Sequence, residues 1–153
     1  MKKLFILTGF LTLLLVATPV FAKPDKAKGP VDKATGHVCG ASGGWCIEFN
    51  AHEPKTEGED AKGYIYHWSD EKNRELYLEV FYADFDGMEG EFKATCIYDS
   101  WGMNEDKVMH VEVWDYGEPG IDTDEFRWRW DDDSFKWGPV KATKGNLQVH
   151  TYE

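Results

Sequence analysis

The sequence predicts an all-β protein, an antiparallel barrel or sandwich of about eight strands. Apolar and polar residues alternate with a period of two through most of residues 35–153, and no stretch shows a convincing helical period. Turn signals rich in Gly, Asp and Pro separate the alternating runs. Because an open sheet of eight strands would leave two long edges, closure into a barrel or packing of two sheets is the economical arrangement.

Eight alternating runs are expected to form the strands, and they are residues 37–40, 45–50, 63–69, 75–85, 88–98, 107–116, 124–131 and 145–152. Asp86-Gly87 is the strongest local signal, because an Asp-Gly pair between two alternating runs favours a tight hairpin turn with positive φ. The fourth run is apolar on both faces, which predicts a central strand or one covered on both sides. Residues 35–153 are expected to form a single β domain.

Residues 1–22 have the pattern of a secretory signal peptide. Lys2 and Lys3 provide the positive start, an apolar run follows over residues 4–17, and Ala22 ends a short segment with small residues at the cleavage positions. The apolar run is too short to span about 30 Å of hydrocarbon comfortably, so no membrane insertion is expected after cleavage. The mature protein is expected to be secreted or periplasmic, with a flexible lead-in over residues 23–34.

The charge of the mature chain is strongly negative. Without Lys2 and Lys3, 15 basic residues stand against 28 acidic ones, a formal charge of −13. Such a surface repels phosphates, so nucleic acid is not an expected partner. All seven Trp lie in the mature chain, and aromatic side chains at this density bury enough surface to fold a domain, unlike those of a disordered acidic segment.

The three cysteines predict one disulfide and one free thiol. Cys39 and Cys46 flank a glycine-rich segment that is typical of a hairpin loop, so the two can face each other across the hairpin and form a disulfide. Cys96 alternates in step with the apolar residues of its strand and so shares their face, which predicts a buried free thiol. A zinc site is disfavoured because the chain lacks a Cys-x-x-Cys pair.

The second half of the chain contains three recognisable runs, namely Val113-Trp114-Asp115-Tyr116-Gly117-Glu118-Pro119-Gly120, Asp124-Glu125-Phe126 and Lys144-Gly145-Asn146-Leu147-Gln148-Val149-His150. Over roughly residues 35–151 the chain resembles a post-COAP-type domain, which is common in exported bacterial proteins. That family usually has Asn in place of Tyr116 and Gly in place of Lys144. The resemblance implies a secreted β domain, often appended to larger surface proteins, and it implies no enzyme activity and no catalytic residue.

Three tryptophans are candidates for ligand contacts. Trp45, Trp101 and Trp137 fall in or beside loops, each next to Gly. Aromatic faces exposed on loops stack on sugar rings or on apolar ligands. The alternative is that these rings cover the ends of the core, which is a common use of Trp.

The last predicted strand offers three polar candidates. Asn146, Gln148 and His150 share one face because side chains alternate along a strand. If that face points into a barrel, these residues line a polar pocket. If it points outward, they are ordinary solvent-facing residues, and the period alone does not distinguish the two arrangements.

Four acidic residues are candidate calcium ligands. Asp122 and Asp124 lie in one predicted loop, and Asp131 and Asp133 lie in another. Carboxylate oxygens are the ligands that Ca²⁺ prefers, but neither segment matches the EF-hand loop. The alternative is that both are solvated acidic turns. No other cofactor is expected.

These observations favour an exported, non-enzymatic binding or surface-interaction module, with carbohydrate or an extracellular protein as its target. The first alternative is a lipocalin-like carrier of a small ligand, and the second is a small extracellular hydrolase. Hydrolysis is the less favoured because no Ser lies in a nucleophile elbow and the many carboxylates are expected in a chain this acidic.

Cleavage of the predicted signal peptide is directly measurable. Expression of the full chain in an exporting bacterium is expected to release a protein that begins at Lys23, because signal peptidase reads the small residue Ala22. Amino-terminal sequencing and intact mass test this. A purified protein that retains residues 1–22 would contradict it.

Overall fold

Nine antiparallel strands form one continuous sheet in the computed structural model, which describes residues 31–39, 44–117, 120, 122–142 and 144–152. The strands are β1 (Lys33–Cys39), β2 (Cys46–His52), β3 (Lys62–Ser69), β4 (Arg74–Asp86), β5 (Glu89–Asp99), β6 (Val108–Trp114), β7 (Glu125–Trp130), β8 (Lys136–Lys141) and β9 (Lys144–His150). These ranges contain no helix, and hence none long and apolar enough to cross a membrane. The all-β prediction is confirmed. The predicted signal peptide and most of the predicted lead-in lie outside the described residues.

The order of the strands forces the sheet to curl. Spatial neighbours follow chain order from β1 to β8, and β9 returns to pair with β1. The strands β8 and β9 are therefore the two edges of the sheet, although only two residues separate Lys141 from Lys144. Such a short connection requires the edges to approach each other, and the sheet accordingly forms a half-barrel.

A hydrogen bond links the edge strand β9 to the loop that follows β6. The backbone N–H of Val149 in β9 donates to Oδ2 of Asp115 in that loop, at 2.9 Å. The backbone N–H of Ala142 donates to the carbonyl of Asp124 at 2.8 Å, which extends the β7–β8 pairing by one residue pair. We call the end of the half-barrel that carries the β2–β3, β4–β5 and β6–β7 loops the closed end.

The concave face of the half-barrel holds the core. Its least exposed large side chains are Val38, Ile47, Phe49, Ile65, Leu78, Phe92, Met109, Val111, Val113, Phe126 and Leu147. Side chains alternate between buried and partly exposed along β6 and β7, as expected when one face of a sheet covers the core. Each large apolar side chain buried in this way stabilises the fold by about 1.5–3 kcal/mol.

Two β-bulges between β4 and β5 change which side chains point inward. Ile97 is an extra residue on β5, so Asp99 faces the core side opposite Leu76. Phe81 is an extra residue on β4, and it turns Phe85 inward. A strictly alternating strand would put both Asp99 and Phe85 on the outer face.

The strand count differs from the prediction by one. β8 carries Gly138 and Pro139, which are typical of a loop, so the sequence predicts no strand there. Proline is tolerated at this position because β8 is an edge strand and its outer N–H groups need no partner. β1 also starts earlier than expected, inside the predicted lead-in, because Ala34 is fully buried between β2 and β9.

Several local predictions are confirmed. The two-residue connection between Asp86 and Glu89 has Gly87 at φ 61°, as the Asp-Gly signal predicts. Cys39 and Cys46 lie directly opposite each other in the β1–β2 register, with Cα atoms 4.0 Å apart, and form a disulfide. Cys96 is a buried free thiol, and burial raises its pKa to about 11.

Removing the disulfide should destabilise the fold measurably. Replacing Cys39 and Cys46 together with Ser is expected to lower the free energy of unfolding by about 2–3 kcal/mol, the chain-entropy effect of releasing a short loop. Urea unfolding measures this. Titration of the unfolded, unreduced protein should find one thiol, that of Cys96, and a count of three would contradict the disulfide.

Candidate functional site

A cavity of about 420 Å³ lies at the end of the half-barrel opposite the closed end. We call this the open end, and it carries the β1–β2, β3–β4, β5–β6 and β7–β8 loops. The apolar lining consists of Trp45, Leu76, Met103, Trp128, Trp130, Phe135 and Trp137, and the polar lining of His67, Ser69, Glu71, Lys72, Arg74, Asn104 and Ser134. Met103 and Phe135 are about half exposed, so the cavity reaches the surface.

The strand pattern explains why aromatic side chains meet here. Trp128 and Trp130 occupy the last inward positions of β7, on the same face as the buried Phe126. Trp45 precedes β2 and continues the inward series of Ile47 and Phe49. Since β2 and β7 belong to opposite walls of the curled sheet, their end residues converge on one space.

The aromatic rings of the cavity lining contact one another. The rings of Trp45 and Trp137 are 4.2 Å apart between centroids and nearly perpendicular, at 84°. Trp128 packs against Phe135 at 5.0 Å and against Trp130 at 5.9 Å, the latter also edge to face. Edge-to-face pairs are a favoured aromatic geometry, so the rings hold each other in defined orientations.

His67 contributes a neutral imidazole to this lining. It lies between Trp45, stacked at 6.4 Å, and Trp128, edge-on at 6.2 Å. Burial lowers the pKa of His67 to about 4, helped by the positive charge of Arg74. Its Nδ1 is buried and has no hydrogen-bond partner among the described residues. At neutral pH the ring is therefore uncharged.

A buried carboxylate at the end of β5 organises the cavity rim. Asp99 accepts two hydrogen bonds from Arg74, at 3.1 and 2.6 Å, and backbone bonds from Trp101, Met103 and Asn104. The side-chain amide of Asn104 donates a further bond at 2.9 Å. Burial alone would raise the pKa of Asp99, but these donors outweigh it and lower the pKa to about 2.

Trp101 extends the aromatic surface outward from the cavity. Arg74 lines the cavity, and its guanidinium lies over the Trp101 ring at 4.8 Å from the centroid. Trp101 is 46% exposed. Its position next to Arg74 therefore makes it part of the rim.

The structure thus brings together the three tryptophans that the sequence singled out. Trp45 and Trp137 are in contact inside the cavity, and Trp101 stands at its rim. The alternative use of Trp as a cover for the core also applies in part, because Trp45 and Trp137 pack against core residues such as Phe126.

The polar candidates of the last strand lie elsewhere. Leu147 is buried and Val149 packs against the core, so Asn146, Gln148 and His150 occupy the opposite, outer face of β9. Asn146 and Gln148 border a separate groove of about 320 Å³ on the outer surface, with residues of β1, β2 and β3. The structure does not place these three side chains in the cavity.

The four candidate calcium ligands lie at the two ends of β7. Asp122 and Asp124 precede β7 and Asp131 and Asp133 follow it, so roughly 20 Å of strand separates the two pairs. Oδ1 of Asp124 accepts the backbone N–H of Tyr116 at 3.0 Å, a bond that shapes the loop. Asp133 lies 3.6 Å from the Arg129 guanidinium.

One further group has a spacing that suits a metal ion. His37, Cys39 and Cys46 place their potential ligand atoms within 4.8 Å of one another. The two sulfur atoms are bonded to each other in the disulfide, however, and are not thiolates. This group fits a metal only after reduction.

Sequence reasoning missed several members of the cavity. The shared face of Trp128 and Trp130 was visible in their alternation, but nothing in the period shows that it faces inward. Nothing in the sequence indicates that Arg74 and His67 line a cavity, because the outer faces of their strands also carry polar and aromatic residues.

No protein-family model, no curated protein and no solved structure matches this chain. The resemblance to the post-COAP-type domain therefore stays a prediction.

The stability of the rim should depend on pH through Asp99. Because its folded pKa of about 2 lies below the ordinary 3.8, the ionised carboxylate stabilises the folded state fully above about pH 5, and this stabilisation is lost as the pH falls toward 2. Asp99→Asn is expected to lower the free energy of unfolding at pH 7 by about 3 kcal/mol, because Arg74 loses its partner.

Urea unfolding from pH 7 to pH 2.5 checks this. The difference in the free energy of unfolding between the wild type and Asp99→Asn should shrink in acid. The contribution of His67 to the pH dependence is common to both proteins and cancels in this difference. A difference that stays constant over the whole range would argue against a low pKa at Asp99.

Proposed function

We propose that this protein is an exported, non-enzymatic binding module that takes a small ring-containing ligand into the cavity at its open end. The supporting observation is the convergence of Trp45, Trp128, Trp130 and Trp137 on one accessible space of about 420 Å³. Specific small-molecule sites are concave, mainly aromatic or apolar, and about 300–1,000 Å³ in volume.

The energetics favour a ring as the ligand. Flat indole faces gain most from a partner that is itself flat or has an apolar face, since contact then removes the most water from both surfaces. The mutual contacts of Trp45 with Trp137 and of Trp128 with Phe135 orient these rings before a ligand arrives. A preoriented site loses little conformational entropy on binding.

The polar groups of the cavity support binding in preference to nucleophilic catalysis. The Ser69 hydroxyl donates to the backbone carbonyl of Gly44 at 2.9 Å. It is therefore already engaged with the scaffold, whereas a catalytic serine needs a neighbouring base. His67 is held neutral between two indole rings.

Export is part of the same proposal. A disulfide between Cys39 and Cys46 is compatible with an oxidising compartment outside the cytoplasm. The pattern of residues 1–22 predicts the route. The ligand would then be one that is present in the periplasm or outside the cell.

Ligand binding should raise the thermal midpoint of the purified exported protein. A ligand that binds only the folded state adds about 2.7 kcal/mol of stability at a hundredfold excess over its dissociation constant. The panel contains glucose, galactose and N-acetylglucosamine with their disaccharides, together with 1-naphthol and dodecanoate. Intrinsic tryptophan emission follows both the melt and the titrations, because four of the seven Trp line the cavity.

Trp137 lines the cavity, so Trp137→Ala is expected to weaken about tenfold, equivalent to ~1.4 kcal/mol, the binding of any compound that raises the midpoint. Trp114→Ala is the matched control, because Trp114 lies on the outer face of β6, away from the cavity. The proposal would be contradicted if the two variants lost the same amount of binding affinity, or if no compound of the panel raised the thermal midpoint.

A further inference from the structure

The charges around the cavity cancel one another. Arg74 is neutralised by the buried carboxylate of Asp99 through two hydrogen bonds. Glu71 and Lys72 are neighbours in the β3–β4 turn, carry opposite charges and are both exposed. A charged ligand that enters this space would lose its hydration without gaining an unpaired counter-charge, and this loss is unfavourable.

Polar side chains of the lining nevertheless favour a hydrogen-bonding ligand. His67 and Arg74 both line the cavity and both stay partly exposed. Asp99 engages Nε and Nη2 of Arg74. A purely apolar ligand would remove water from the exposed polar groups of the lining, at about 1–3 kcal/mol for each group left unsatisfied. A ligand with hydroxyl groups would satisfy them.

The aromatic walls set the third requirement. The indole rings of Trp45, Trp128 and Trp137 line the same cavity as these polar groups. A pyranose ring combines a flat face of C–H groups with hydroxyls around its edge. It can therefore contact the indoles and the polar atoms at the same time, whereas an alkyl chain contacts only the indoles.

The rim offers a place for a second ring. One face of Trp101 is covered by the Arg74 guanidinium, and 46% of the residue stays exposed. Its backbone N–H is held by Asp99 at 2.9 Å, so the loop presents the ring in a fixed position. A ligand that leaves the cavity past Arg74 would next meet Trp101.

We infer that the cavity binds the end of a neutral oligosaccharide. The terminal sugar stacks on the inner tryptophans and exchanges hydrogen bonds with His67 and Arg74, and the next sugar lies against Trp101. This assignment rests on the proposed function, since it names the ligand class of the same cavity.

Ring-matched sugars test the charge requirement. Titration calorimetry of the purified exported protein compares glucose with glucuronate and glucosamine, and galactose with galacturonate and galactosamine, together with the disaccharides and trisaccharides of glucose, galactose, mannose and N-acetylglucosamine. We expect at least one neutral series to bind, its trisaccharide at least fivefold more tightly than its monosaccharide. The uronate and the amino sugar of the same ring should bind at least tenfold more weakly.

Two substitutions locate the ligand. Trp101→Ala should reduce the ratio of trisaccharide to monosaccharide affinity toward one, because the outer ring loses its platform. Arg74→Lys keeps the charge beside Asp99 but removes the guanidinium, and it should weaken every sugar of the series about tenfold. Trp114→Ala serves again as the control outside the cavity, and thermal melts confirm that each variant is folded.

The outcomes separate this inference from the proposed function. Binding of 1-naphthol or dodecanoate without binding of any sugar overturns the oligosaccharide assignment and leaves the small-ligand cavity standing. A charged sugar that binds as tightly as its neutral counterpart also overturns the assignment. If neither sugars nor apolar compounds bind, both proposals fail.

Discussion

The open end of this protein depends on one buried carboxylate. Asp99 receives six hydrogen bonds, and they tie the end of β5 to the start of β4 and to the loop that follows. Without them the guanidinium of Arg74 would lack its counter-charge and the loop that carries Trp101 would lack its anchor. An anion is needed for this role because a neutral side chain cannot accept so many donors at once.

The carboxylate reaches its place only because of a bulge. Cys96 points inward, and in a strictly alternating strand Asp99, three residues later, would point outward. The extra residue Ile97 shifts the alternation by one position, so that Asp99 also points inward. The bulge also strengthens the local twist of the long β4–β5 hairpin, which helps the sheet to curl. The same irregularity therefore supports both the shape of the half-barrel and the electrostatics of its rim.

Much of the fold could be predicted from alternation, because a period of two follows directly from strand geometry. The Asp86-Gly87 turn and the disulfide were predictable for the same local reasons. Alternation does not reveal which face lies inside, so Trp128 and Trp130 could be paired on one face but not placed in a cavity. β8 was missed because a single sequence does not show that a strand is at an edge, where Pro139 is allowed. His67 and Arg74 acquire their roles only from partners on distant strands.

The edge strands β8 and β9 do not pair with each other, and unpaired strand edges invite other chains to add strands and aggregate. The edge strand β8 counters this in its own composition. Pro139 removes one backbone donor from its middle, and Lys136 and Lys141 place positive charges at its ends. An incoming copy would have to desolvate both ammonium groups and align with a ladder that is interrupted at Pro139. Pro139, which makes β8 hard to recognise as a strand, thus also disfavours the addition of a further strand at this edge.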